Sequence, residues 1–123
     1  ANAGFTTGRP WLKVNGNYTE VNVEKDMADE DGVRAFWKKM IQLRKTSEIL
    51  LEGQFRSCLE SKSVYAFKRV LDGKELLSVC NMTGKTVAVP EKIKDWDNVV
   101  VSSYKDYKTD VLKPFEFRLV KKG

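Results

Sequence analysis

Paired carboxylates are the raw material of general acid–base and nucleophilic chemistry, and this chain offers two clusters of them. Asp29, Glu30 and Asp31 are consecutive, and Asp95 and Asp97 flank Trp96, so that an aromatic face for a sugar ring would be bracketed by two acids. Both clusters also have a local reading, which is the one carried forward. Acidic residues ahead of a helix are favoured by its dipole, and Asp-Trp-Asp reads as a surface turn. Trp96, Tyr104 and Tyr107 make a third candidate, an exposed platform on which sugars stack in a carbohydrate-binding module. Against it stands the usual employment of aromatics in a small β-domain, which is core.

Histidine is absent from all 123 residues. That removes the Ser-His-Asp triad, the Cys-His pair and every histidine-based metal site. Cys58 and Cys80 sit in apolar, strand-like stretches without the partner spacing of a zinc site, and read as buried free thiols. No cofactor or metal is expected. The sequons Asn17-Tyr18-Thr19 and Asn81-Met82-Thr83 are short enough to arise by chance. The net charge of +5 comes from 22 basic and 17 acidic residues interleaved along the chain, as in Glu24-Lys25-Asp26 and Lys105-Asp106-Tyr107-Lys108. Nucleic-acid binding is not expected from so mixed a surface. Nor is a membrane span, which needs about 20 apolar residues in succession.

These side chains must be positioned by three kinds of element. Up to about Met27 the chain reads as loop, with a turn at Gly16-Asn17 and no sustained apolar period in Val14, Val21 and Val23. Then Val33, Phe36, Trp37, Met40, Ile41 and Arg44 recur at three- and four-residue intervals. This predicts one amphipathic helix with Asp29 or Asp31 as N-cap and Arg44-Lys45 in its last turn. After Gly53 the period becomes that of strands. Runs at Gln54–Glu60, Val64–Leu71, Lys74–Asn81, Lys85–Pro90, Asn98–Ser103 and Phe115–Lys121 are separated by turn residues at Asp72-Gly73, Thr83-Gly84 and Pro90. Asp72-Gly73 predicts a tight hairpin, and the unbroken "LLSVC" predicts a central strand. Strands in series without helices between them imply a small antiparallel β-sandwich.

The blocks "NAGFTTGRPW", "VNGNYTEVNV", "FWKKMIQLRK", "LEGQF", "VYAFKRV", "NMTGKTV" and "VLKPFEFRLV" occur in that order along nearly the whole chain. In order and spacing they resemble the C-terminal region of the bacterial oligo-1,6-glucosidase and α-glucosidase group of glycoside hydrolase family 13. Departures from that pattern are Gly16 where proline is usual, Met82 where phenylalanine is commoner, and Phe117 in place of a small residue.

The resemblance implies a mainly β chain. Residues 1–50 would be the remnant of a catalytic (β/α)8 barrel, namely the loop after its last strand and its final helix, and 51–123 a C-terminal antiparallel β-sandwich. It further implies a parent that is a retaining α-glucosidase, with two carboxyls about 5 Å apart across the scissile bond. Those carboxylates belong to barrel strands that the motifs here do not include, so no catalytic, cofactor-binding or metal-binding residue is assigned. Phe5 and Trp11 either line the rim of the parent's cleft or anchor the loop by packing. The expected partners are the catalytic barrel of the same polypeptide and, only through it, an oligosaccharide; the expected setting is the bacterial cytoplasm. With the barrel missing, the stripe of Val33, Phe36, Trp37, Met40 and Ile41 lacks part of its cover, and self-association of the chain is expected.

Overall fold

A computed structural model describes residues 2–122. The chain divides into two compact units, 1–43 and 44–123, and the longest helix runs across the boundary.

In the first unit the stretch read as loop contains a short helix, α1 (Val23–Ala28). Asn22 caps it, its side-chain oxygen accepting from the Lys25 amide at 2.9 Å. Six residues are too few for the apolar period to register, so only the cap marked it. The amphipathic helix α2 spans Val33–Thr46, with Arg44 and Lys45 in its last turn. Its N-terminus differs from the expected one. The Arg34 amide donates to the Asp26 carboxylate at 3.3 Å, while Asp29 accepts from the Asp31 amide at 2.9 Å. The helix end is thus served by an acid from α1, and the nearer acids shape the connecting turn.

In the second unit the last residues of α2 are followed by a single turn of helix, α3 (Glu48–Leu51), into which the Arg44 side chain donates at the Leu50 carbonyl, 2.7 Å away. Gly53 follows because a Cβ there would lie 2.3 Å from the Ile49 carbonyl oxygen. The rest is antiparallel strand: β1 (Gln54–Glu60), β2 (Val64–Leu71), β3 (Lys74–Asn81), β4 (Val87–Ala88), β5 (Asn98–Ser102), β6 (Val111–Leu112) and β7 (Phe117–Lys121). Five form one sheet in the order β1-β2-β3-β7-β5, and β4 pairs with β6 in a two-stranded ribbon. The ribbon is smaller than the sequence suggests. Only Val87–Ala88 of the run 85–90 is strand, and its partner β6 carries no turn-bounded apolar run of its own.

The hairpin at Asp72-Gly73 is as expected, with Leu71 opposite Lys74 and φ values of 48° and 75° in the two turn residues. Both are left-handed, as a type I′ turn requires. β3 lies at the centre of the sheet, and Leu76, Leu77, Ser78 and Val79 are all buried. Alternation then builds the core. Val64 and Ala66 of β2, Leu77 and Val79 of β3 and Val120 of β7 share one face. They pack against Leu112 of the ribbon, Ile93 of the 3-10 turn Glu91–Ile93, and Val89 and Trp96 on either side of that turn. Lys92 ties that turn to β1 by donating to the Cys58 carbonyl at 2.6 Å.

Candidate functional site

The carboxylate clusters occupy turns. Asp29, Glu30 and Asp31 are exposed in the turn before α2. Asp95 and Asp97 are exposed too, but Trp96 between them is only 7% exposed and belongs to the core. Its ring is covered by two ammonium groups, Lys68 at 4.9 Å and Lys122 at 5.5 Å from the ring centroid, and Lys122 also pairs with Asp95 at 3.5 Å. No aromatic face is left open between the two acids. Among the described residues no group of three or more His, Cys, Asp or Glu side chains could hold a metal ion.

The same burial breaks up the aromatic platform. Tyr104 is half-buried, donates its hydroxyl to the Pro114 carbonyl at 2.9 Å, and has Lys113 5.1 Å from its ring centroid. Tyr107 is exposed, with the Arg118 guanidinium 5.3 Å from its centroid. A sugar-stacking surface needs rings bare on one side, and Trp96 supplies none. Lys113 also bonds Asp106 at 2.5 Å, and this hydrogen bond and its charge hold that carboxyl below its ordinary pKa.

Sequence reasoning missed a buried polar cluster under the ribbon. Glu116 is fully buried and Arg118 4% exposed, and they are joined at 2.6 Å between Oε1 and Nε. Glu116 also accepts from the Lys113 amide at 2.6 Å and the Ser102 hydroxyl at 3.1 Å, while Arg118 donates to the Val111 carbonyl at 2.5 Å. Asn81, 1% exposed, gives its carboxamide N–H groups to the carbonyls of Lys85, Leu112 and Lys113. These bonds fasten β6 and the residues ahead of β4 to the sheet. Being satisfied at both ends, the ion pair serves architecture and leaves no charge poised for a substrate. The available signal was an arginine at an inward position of "FEFRLV", which demands a buried partner. The sequon at Asn81 is structural for the same reason, whereas Asn17 is exposed in a turn.

Cys58 and Cys80 are free, as expected, but half-buried rather than buried. Cys58 sits at the bulge between Ser57 and Leu59, and Cys80 lies on the face of the sheet opposite the core. Burial raises the Cys80 pKa above the usual thiol value.

The first unit presents a different surface. None of its described residues is buried. Phe5 is 86% and Trp11 92% exposed, and Val33, Trp37 and Ile41 of the α2 stripe are exposed as well, with Phe36 and Met40 half-buried. Phe5, Pro10, Trp11, Leu12, Tyr18 and Val23 line an open groove of about 1090 Å³ within this unit. Within this unit Phe5 and Trp11 line the groove with their rings largely exposed, and so do not anchor the loop by burial. They form part of a broad apolar surface.

No helix is long and apolar enough to cross a membrane among the described residues. The family model for the alpha-amylase catalytic domain matches residues 1–53. Oligo-1,6-glucosidase of Halalkalibacterium halodurans is 35% identical over 125 residues, covering 94% of this chain and 22% of its own length. The oligo-1,6-glucosidase of Parageobacillus thermoglucosidasius is also 35% identical, over 98% of this chain and 23% of its own. The crystal structure of isomaltulose synthase from Klebsiella sp. LX3 superposes with a TM-score of 0.83 at 32% identity, covering 98% of this chain and 23% of that one. The chain therefore spans about a fifth of the length of the curated relatives it matches. On this agreement of sequence and fold, the chain belongs to the alpha-amylase family, glycoside hydrolase family 13, and corresponds to an oligo-1,6-glucosidase-like segment.

Proposed function

We propose that this segment is a structural cap of a retaining α-glucosidase that acts on short oligosaccharides, and that it holds no catalytic residue itself. Residues 1–50 then belong to the catalytic barrel, as the loop after its last strand and its final helix, and 51–123 form the C-terminal β-domain. The observation that carries this reading is the contrast between the units. Residues 44–123 own a buried core, whereas none of the described residues up to 43 is buried, and Phe5, Trp11 and Trp37 are displayed to solvent. Each large apolar side chain left in water forfeits about 1.5–3 kcal/mol of burial. A surface of that kind is built to be covered, and the remaining four-fifths of a relative-length chain is the natural cover.

The chemistry of such a parent places a nucleophilic carboxylate and an acid/base carboxylate about 5 Å apart. The acids considered above serve a turn, a helix end and a buried ion pair, and histidine is lacking altogether. The chain alone is expected to leave a chromogenic α-glucoside unhydrolysed even at high protein concentration. Turnover that survived re-purification and vanished on a point substitution in this chain would refute the reading.

A further inference from the structure

Asn15-Gly16 is the only Asn-Gly pair in the sequence, and both residues are exposed. The pair opens the turn that follows Val14, where the Asn15 carbonyl accepts from the Tyr18 amide at 3.3 Å. Among the described residues nothing bonds the Asn15 carboxamide, and the Gly16 N–H donates to no carbonyl. A Cβ built on Gly16 would meet nothing within 4 Å, so neither a side chain nor a neighbour restricts the approach of the Gly16 nitrogen to the Asn15 side chain.

We propose that Asn15 is a site of spontaneous deamidation and isoaspartate formation, with water as co-reactant. A base takes the proton from the Gly16 nitrogen, which attacks Cγ of Asn15. The new N–Cγ bond closes a five-membered succinimide as the bond from Cγ to the side-chain nitrogen breaks, and that nitrogen leaves with a proton as ammonia. Water then adds to one of the two ring carbonyls and opens the ring, giving aspartate or isoaspartate. No oxidant or reductant is involved. Each event lowers the formal net charge of +5 by one. The isoaspartyl product also inserts a methylene into the main chain of a turn that lines the apolar groove.

The other asparagines are protected by their surroundings. Asn81 is buried and gives its carboxamide to carbonyls. Asn22 caps α1 and donates to the Tyr18 carbonyl at 2.9 Å, and Asn2 donates to the carbonyls of Thr6 and Gly8. Asn17 and Asn98 are exposed but precede Tyr18 and Val99, whose side chains crowd the attacking nitrogen.

The test is to age the whole chain at physiological temperature, at neutral and mildly alkaline pH, and to map its peptides by mass spectrometry with an isoaspartyl methyl-acceptor assay. The Asn15 peptide should convert to aspartyl and isoaspartyl forms, several-fold faster at the higher pH, ahead of every other asparagine. Gly16→Pro, which has no N–H to attack, and Asn15→Gln should both be silent while keeping the circular dichroism of the unaltered chain. An intact Asn15 after a period in which a synthetic peptide of residues 14–18 deamidates would overturn the proposal. So would loss spread evenly over the other asparagines.

Discussion

At the scale of single residues, the second unit depends on one buried ion pair. Glu116 and Arg118 satisfy each other and the backbone of the ribbon, so removing one leaves a buried charge without its counter-ion. Glu116→Ala is expected to cost about 3–5 kcal/mol in denaturant unfolding. Adding Arg118→Met to that variant should cost less than the sum of the two single changes, since the orphaned charge goes with it. Strictly additive losses would contradict this. Next to the pair, Phe115 stands at φ 54° and is 68% exposed, an unusual conformation for a bulky residue. It is held there by its backbone N–H, which donates a hydrogen bond to the Thr83 carbonyl at 3.0 Å. Phe115→Gly should change stability by no more than about 1 kcal/mol, relieved strain offsetting chain entropy, whereas the β-branched Phe115→Ile should lose more. The reverse order would show that the ring's contacts outweigh the backbone.

Cys80 makes a pH-dependent prediction. Burial disfavours its thiolate, so the folded state holds the proton more tightly than the unfolded one. This contribution to stability is fully present below the unfolded pKa and is lost as pH rises through the higher folded value. Alkylation of Cys80 in the native chain should therefore be slow at neutral pH and accelerate only above the usual thiol range, while denaturant exposes both thiols at once. Fast modification of Cys80 in the native state at neutral pH would contradict the assignment.

Among the elements, what the sequence made legible is what a period or a turn signal can encode. α2 was visible because fourteen residues give the apolar stripe several repeats. The β2–β3 hairpin was visible because Asp72-Gly73 fits a two-residue loop with both residues left-handed. Here the glycine serves the backbone and not the packing, since a Cβ at Gly73 would meet nothing within 4 Å. Gly73→Ala should accordingly cost about 1–2 kcal/mol through conformation alone. A neutral result would mean that the turn relaxes to another type.

The elements that escaped notice have a common physical cause. α1 and α3 have six and four residues, and β6 has two, too short for periodicity. The positions of β6 and α3 are set by partners far along the chain, β4 for β6 and, for α3, Arg69, whose guanidinium reaches the Leu50 carbonyl at 3.2 Å. The candidate site was read unevenly for the same reason. The Asp-Trp-Asp triplet looks symmetrical along the chain, yet its aspartates face water while Trp96 enters the core beneath Lys68 and Lys122. The partnership of Asn81 with Lys85, Leu112 and Lys113 is likewise closed only by the fold.

For the whole molecule, the governing fact is an uncovered apolar surface on a chain that spans about a fifth of its relatives. Leaving two or three large side chains in water is a serious loss against a net stability of about 5–15 kcal/mol. In isolation the chain should reduce that loss by association, one copy's apolar surface covering another's. Light scattering across a dilution series should then show a concentration-dependent dimer or higher oligomer. A strictly monomeric species at high concentration, with blue-shifted tryptophan emission, would contradict it.

The cap reading is tested most directly by transplantation into a relative. The segment of the Halalkalibacterium halodurans oligo-1,6-glucosidase that aligns with this chain would be replaced by the chain itself, and hydrolysis of a chromogenic α-glucoside measured on the purified chimera. A non-catalytic cap predicts a folded enzyme with kcat and KM within a few-fold of the parent and lowered thermal stability, since the new junction is imperfectly packed. A chimera that folds as stably as the parent but has lost its kcat would place catalytic chemistry in the exchanged segment and contradict the account.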